Sequence, residues 1–134
     1  MSDTVVVKWR GDAVKAKWKD AKKKMVASIV KAAVVDIRAN APVDTGFMRD
    51  STYGVSESGA EGNPSPRSSR MSSPKYGGTR NYESVGAPAR GSADAVIGNG
   101  AAYAFWNERR APFVYPAVER AVSGIAQHIE VLSD

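Results

Sequence analysis

The chain opens on an apolar, β-branched run, Thr4–Trp9 (TVVVKW), interrupted by Lys8, which reads as a short strand ended by Gly11 and Asp12. From there apolar side chains recur at steps of three and four, through Val14, Trp18, Ala21, Met25, Ile29, Ala32 or Ala33, and Ile37. That is the period of one buried helical face and predicts a helix over 12–40, capped by Asp12 and stopped where Pro42 disfavours helical geometry at Ala41. A strand is expected through Phe47–Val55. Over 56–91 the pattern dissolves into Gly, Ser, Pro and Arg, as in EGNPSPRSSRMSSPKYGG. Too few large apolar groups remain there to offset the entropy of ordering, so a long flexible loop or arm is expected. Ala93–Ile97, the turn Gly98-Asn99-Gly100 and Ala101–Trp106 read as a hairpin over 93–106. Finally Ala117, Val118, Ala121, Val122, Ile125, Ile129 and Leu132 trace a second helical stripe over 116–132, with Pro116 suited to the first helical position.

Two amphipathic helices and a few short strands predict an α+β fold. A long N-terminal helix and a C-terminal helix pack on a small antiparallel sheet, with a long flexible loop between. The 134 residues fit a single domain, 1–134.

Composition narrows the chemistry. There is no cysteine and one histidine, so disulfides, thiol nucleophiles and Cys-ligated zinc drop out, and a His-rich metal site has too few ligands. No metal or other cofactor is expected. No apolar run approaches the roughly 20 residues that span a bilayer, and no membrane partner is expected. The net charge of +5 would attract nucleic acid, an anionic surface or an acidic protein, and does not choose among them. Much of it sits on the first helix, at Lys15, Lys17, Lys19, Lys22, Lys23 and Lys24. These lysines read either as a solvated face or as the contact surface for an acidic neighbour.

The sharpest enzyme-like string is Asp44-Thr45-Gly46, because an Asp-Thr-Gly turn supplies one carboxylate of the two-Asp site of aspartic proteases, and a chain with one such turn would have to dimerise. The context is wrong for it: a lysine-rich helix and Pro42 precede the string and bulky Phe47 follows. A structural turn built by Pro42, Asp44, Thr45 and Gly46 is the favoured reading. Gly98-Asn99-Gly100 lacks the glycine spacing of a phosphate loop, and His128 has no nucleophile motif near it. No catalytic residue is assigned. Tyr103, Phe105, Trp106, Phe113 and Tyr115 cluster with Arg109 and Arg110, which suits stacked bases in a nucleic-acid-binding module, or a core and subunit interface.

Two stretches together carry a resemblance. Ala41-Pro42-Val43-Asp44-Thr45-Gly46-Phe47-Met48-Arg49-Asp50-Ser51 resembles the A-P-x-D-T-G-x-L-R-x-S signature of the tail-completion, or minor tail component, proteins of long-tailed double-stranded DNA bacteriophages. Ala102–Glu108 followed by Pro112–Ala117 resembles that family's Y-A-x-x-x-E-x-G-T leading into P-F-(L)-x-P-A, with Arg109 and Arg110 departing from it. The resemblance implies a non-enzymatic structural protein of the virion neck, assembled in the host cytoplasm. It would form a homo-oligomeric ring, commonly a hexamer, between the portal-side adaptor or head-closure protein and the tail tube or tail terminator protein. On that reading Arg67, Arg70, Lys75 and Tyr76 on the arm, and Trp106, Arg109, Arg110 and Tyr115 near the second stretch, are the expected contacts with neighbouring copies or partners. Lys15, Lys19, Lys22, Lys23 and Lys24 would line the lumen, facing packaged DNA.

Overall fold

The computed structural model describes residues 11–42 and 46–124, with the side chains of Phe105 and Trp106 outside that description. The expected strand Thr4–Trp9, Asp44 and Thr45 of the turn, and the positions from Ile125 onward with His128 lie outside the described residues. The fold is α+β: a long N-terminal helix, a small antiparallel sheet and C-terminal helices.

Helix α1, Gly11–Asn40, occupies the expected span. Its buried face differs from the expected stripe: Val30, Ala33, Val34 and Ile37 are enclosed, whereas Val14 and Trp18 are 49% and 75% exposed. The C-terminal half of α1 is covered twice, by the sheet and by the C-terminal helical segment Val114–Ser123, so its apolar positions spread over more than one stripe. Where two stripes merge, periodicity alone does not say which one meets the sheet.

The chain then turns through Gly46, whose φ of 83° is open to glycine at little cost, into a single helical turn, α2, Phe47–Asp50. The expected strand thus begins later, as β1, Thr52–Ser56. Ser51 explains the break, since its Oγ donates to the Phe47 carbonyl at 2.7 Å and holds the turn closed. β1 is the centre of a three-stranded antiparallel sheet in the order β2-β1-β5, with β2 at Gly59–Gly62 and β5 at Ala95–Asn99.

The segment 56–91 is the main correction to the sequence reading. Besides β2 it holds a six-pair antiparallel hairpin, β3 (Arg67–Ser72) with β4 (Thr79–Ser84). Ladder hydrogen bonds order this polar stretch, and its inward face carries Met71 and Tyr82 onto the core. A second correction concerns the expected hairpin over 93–106. β5 pairs with β1, Thr52 opposite Asn99, and the chain after it is not a strand. Ala101 makes one bridge to Ser84, and Ala104–Arg110 is helix α3. Helix α4, Val114–Ser123, starts two residues before Pro116.

The main core gathers Ile37 and Ala41 of α1, Phe47 and Met48 of α2, Ala101 and Ala104, and Phe113 and Ala117, with Ile97 of β5 packed against it. Ala117 is fully enclosed and Ala121 nearly so, which lets α4 approach closely. Arg120 then forms a two-pronged ion pair with Asp36, both distances 2.7 Å, and its hydrogen bonds hold the Asp36 carboxyl below the usual range.

α1 meets β1 at Gly54, where an added Cβ would lie 2.5 Å from Val30 Cγ1 and 2.8 Å from Val34 Cγ2. Valine in a helix has essentially one rotamer, so neither methyl can move aside. Gly54→Ala should therefore destabilise by about 1–3 kcal/mol, read as a lower Tm, and adding Val30→Ala should recover part of the loss. A neutral or raised Tm would contradict this packing.

Candidate functional site

The two signature stretches, more than fifty residues apart in sequence, meet around one core. From the first, Phe47 and Met48 are buried, and Gly46 supplies the left-handed turn. Arg49 pairs with Asp50 at 3.4 Å, and Asp50 also receives Arg38 of α1 at 3.5 Å. All three groups are well exposed, so these pairs orient more than they stabilise. Pro42 lies just past the end of α1.

From the second stretch, Glu108 of α3 carries the geometry. Its Oε2 accepts from the backbone N–H of Phe113 and Val114, both at 2.9 Å, and its Oε1 from that of Tyr115 at 3.0 Å. These are three of the four donors that the start of α4 leaves without intrahelical partners, and the fourth position is Pro116, which has no N–H. Partial burial pushes the Glu108 carboxyl up, and the three donors outweigh it and hold it below its ordinary value. The negative charge also faces the positive end of the helix dipole.

Asn99 is the third structural node. Its Nδ2 donates to the Met48 carbonyl and to Thr52 Oγ1, and its Oδ1 accepts from the Ala101 N–H at 3.0 Å. It thereby joins α2, β1 and the exit from β5, where the sequence suggested only a tight turn.

The expected contact residues divide among several surfaces. Arg67 turns inward, its guanidinium 4.7 Å from the Phe47 ring centre. Phe47 continues to Tyr82 at 5.6 Å, and Tyr82 to Tyr103 at 5.9 Å edge-on, a series that fastens the hairpin to the body. Arg70 is exposed on the hairpin. Lys75 and Tyr76 sit at the tip, where the Tyr76 ring, 64% exposed, lies near both Lys75 and Arg80. Arg109 and Arg110 end α3 and are exposed, as is Tyr115 at the start of α4. Trp106 falls within α3, with its side chain outside the described part.

Of these, Lys75 and Tyr76 come together in a groove of about 550 Å³ between the hairpin and the body. Arg80, Asn81, Tyr82 and Glu83 of β4, Ala102, Tyr103 and Asn107 at α3, and Pro42 and Met48 complete its walls. The sequence reading passed over the β4 residues, because without a strand assignment Tyr82 was a lone aromatic in a polar run. The lysines divide too. Lys22 pairs with Asp94 at 3.0 Å and Lys24 with Asp20 at 3.7 Å, while Lys19, Lys22 and Lys23 border a small pocket with Glu57 and Asp94. Lys15 is exposed on the first turns of α1.

Among the described residues no three His, Asp or Glu side chains gather as a metal site, and no helix is long and apolar enough to cross a membrane. Compared with protein families, characterised proteins and solved structures, the chain matches none.

The Glu108 cap predicts a pH signature. A carboxyl held below its ordinary 4.5 in the folded state stabilises above that value, and the stabilisation is lost as pH falls through the lowered value. Glu108→Gln should cost about 1 kcal/mol at neutral pH, typical of a lost helix cap. The Tm gap to wild type should then narrow as pH drops below 4.5. A gap independent of pH would contradict the charged cap.

Proposed function

We propose that this chain is a structural subunit of a bacteriophage neck, a ring-forming tail-completion protein that joins the DNA-filled head to the tail by protein–protein contact and performs no catalysis. The observation that carries the reading is the fate of the two signature stretches. Among the described residues, several positions of these stretches are absorbed into one scaffold: Phe47, Met48 and Phe113 in the core, Glu108 on a helix start, Ala117 against α1. Motif residues so used support a structural role more than a reaction. The contacts of a ring are heterologous, one patch meeting a different patch on the next copy. The hairpin tip and groove, distant in sequence from α4 and the first turns of α1, offer such unlike surfaces. The partners on this reading are further copies of the chain, a head-side connector protein and a tail-tube or terminator protein.

The second reading, a basic nucleic-acid-binding module, draws on the first turns of α1, where Trp18 stands exposed among lysines. The pairing of Lys22 and Lys24 with acidic groups weighs against it.

The test is a phage carrying this chain with its reading frame interrupted. Filled heads and finished tails should accumulate unjoined, and purified protein added to the extract should restore infectious particles. Joined particles in its absence would sink the proposal. Purified protein should bind free DNA weakly, and Lys22→Glu, Lys23→Glu and Lys24→Glu together should leave joining intact. Tight binding with log affinity falling steeply against log salt would favour the second reading.

A further inference from the structure

The hydrogen-bonding phase of the β3–β4 ladder is fixed at both ends. At the tip the Ser73 N–H donates to the Gly78 carbonyl at 2.9 Å, and antiparallel pairs alternate from there. Met71 with Arg80, Ser69 with Tyr82 and Arg67 with Ser84 are thus the bonded pairs. Thr79, Asn81 and Glu83 turn their backbone groups to the outer edge of β4. The base agrees: the Ala102 N–H donates to the Glu83 carbonyl at 2.9 Å, and the Val85 N–H to the Gly100 carbonyl at 2.8 Å, around the Ser84–Ala101 bridge.

A single bridge with its two flanking hydrogen bonds therefore begins a third-strand pairing on β4 and stops after Ala102, where the chain leaves for α3. Beyond that point the outward backbone groups of Asn81 and Thr79 meet no partner among the described residues. This unfinished edge is one wall of the 550 Å³ groove, and Pro42, Met48 and Tyr103 supply apolar surface across from it. Open backbone donors and acceptors beside an apolar wall are the geometry that accepts an added strand.

We propose that this groove takes the Thr4–Trp9 segment of a second copy of the chain as a strand added to β4. The pattern of that segment suits it, since Val5, Val7 and Trp9 alternate onto one face of an extended strand and can meet the apolar wall. Reach decides that the segment comes from another copy. α1 is 30 residues long, about 45 Å, and separates Gly11 from Pro42 at the groove. Residues 4–10, fully extended, span at most about 24 Å, roughly half that distance. Each subunit would then give its leading segment to one neighbour and receive one from the other, a contact that closes into a ring where the rotation allows. The inference rests on the assembly reading above, and its test separates the two.

The chain has no cysteine, so single cysteines can be introduced without background. Full-length protein with Asn81→Cys, whose side chain alternates with Tyr82 onto the face away from the apolar wall, is mixed with protein carrying Thr4→Cys, Val6→Cys or Lys8→Cys and oxidised mildly, with Ser68→Cys replacing Asn81→Cys as the control. Cross-strand neighbours lie within disulfide reach, so a linked dimer is expected from the Asn81→Cys mixtures and not from the control. A chain with both cysteines should give a ladder of multimers. Deleting residues 2–9 should shift light-scattering mass from oligomer to single subunit. A disulfide forming only within one chain overturns the proposal. So does an oligomer that persists without cross-linking or after the deletion, which leaves the assembly reading standing. Cross-linking of Asn81→Cys to Glu61→Cys on the exposed edge strand β2 would assign the groove to that strand instead. Protein that stays a single subunit throughout overturns both readings.

Discussion

The Glu108 carboxylate at the start of α4 sets the arrangement that the rest of the molecule depends on. A helix start leaves four N–H groups unbonded, and a buried start without partners is costly. Here Glu108 takes three of them and Pro116 removes the fourth. Because Glu108 belongs to α3, the cap locks the short link between the two helices and points Phe113 into the core. One turn on, Ala117 meets α1, and Arg120 reaches Asp36. Orientation of α4, closure of the core and attachment to α1 thus follow from one charge-assisted cap, and protonating it loosens all three together.

The hairpin is held by a different balance. Its ladder is polar, its outer face is exposed, and a two-stranded ribbon is marginal by itself in water. What it gains comes from one face, with Arg67 over Phe47, Tyr82 between Phe47 and Tyr103 and Met71 on the core, and from the single bridge of Ser84 to Ala101 at its edge. These anchors lie toward the base. The tip has the Ser73 turn, in which the Ser73 Oγ accepts from the Tyr76 N–H, and the left-handed Gly77 and Gly78. Stability should therefore fall from base to tip.

The parts of the fold legible in the sequence were those that periodicity or backbone chemistry dictates alone. The span of α1, the exit at Pro42, the left-handed glycine at Gly46 and the α+β class belong here. The hairpin was hidden because a strand made of Ser, Arg, Thr and Asn carries no alternating hydrophobic signal; its order comes from a ladder and one aromatic, Tyr82, whose partners lie 35 and 21 residues away. Asn99 looked like a turn residue because its short amide suits turns, and its three bonds to α2, β1 and Ala101 are long-range or depend on them. At the candidate site, Lys75 and Tyr76 were legible as an exposed aromatic-basic pair, whereas Arg80, Asn81 and Asn107 acquire meaning only once β4 and α3 face each other.

These observations divide the labour of the chain. Gly46, Phe47, Met48, Glu108, Phe113 and Ala117 of the two signature stretches are occupied internally, by core packing, by a helix cap and by a left-handed turn, and have little freedom to change without loss of shape. On the proposed reading, contacts with neighbours would fall elsewhere, on surfaces the scaffold presents but does not need: the hairpin tip, the open edge of β4, the exposed first turns of α1. An unpaired strand edge is a hazard for a soluble protein, and protection by charge, proline or cover is the usual answer. Here Arg80 and Lys75 flank the edge without blocking it, and the apolar wall opposite gives an incoming strand something to bury. On the proposed assembly reading such an edge can persist, because a strand from the next copy would cover it.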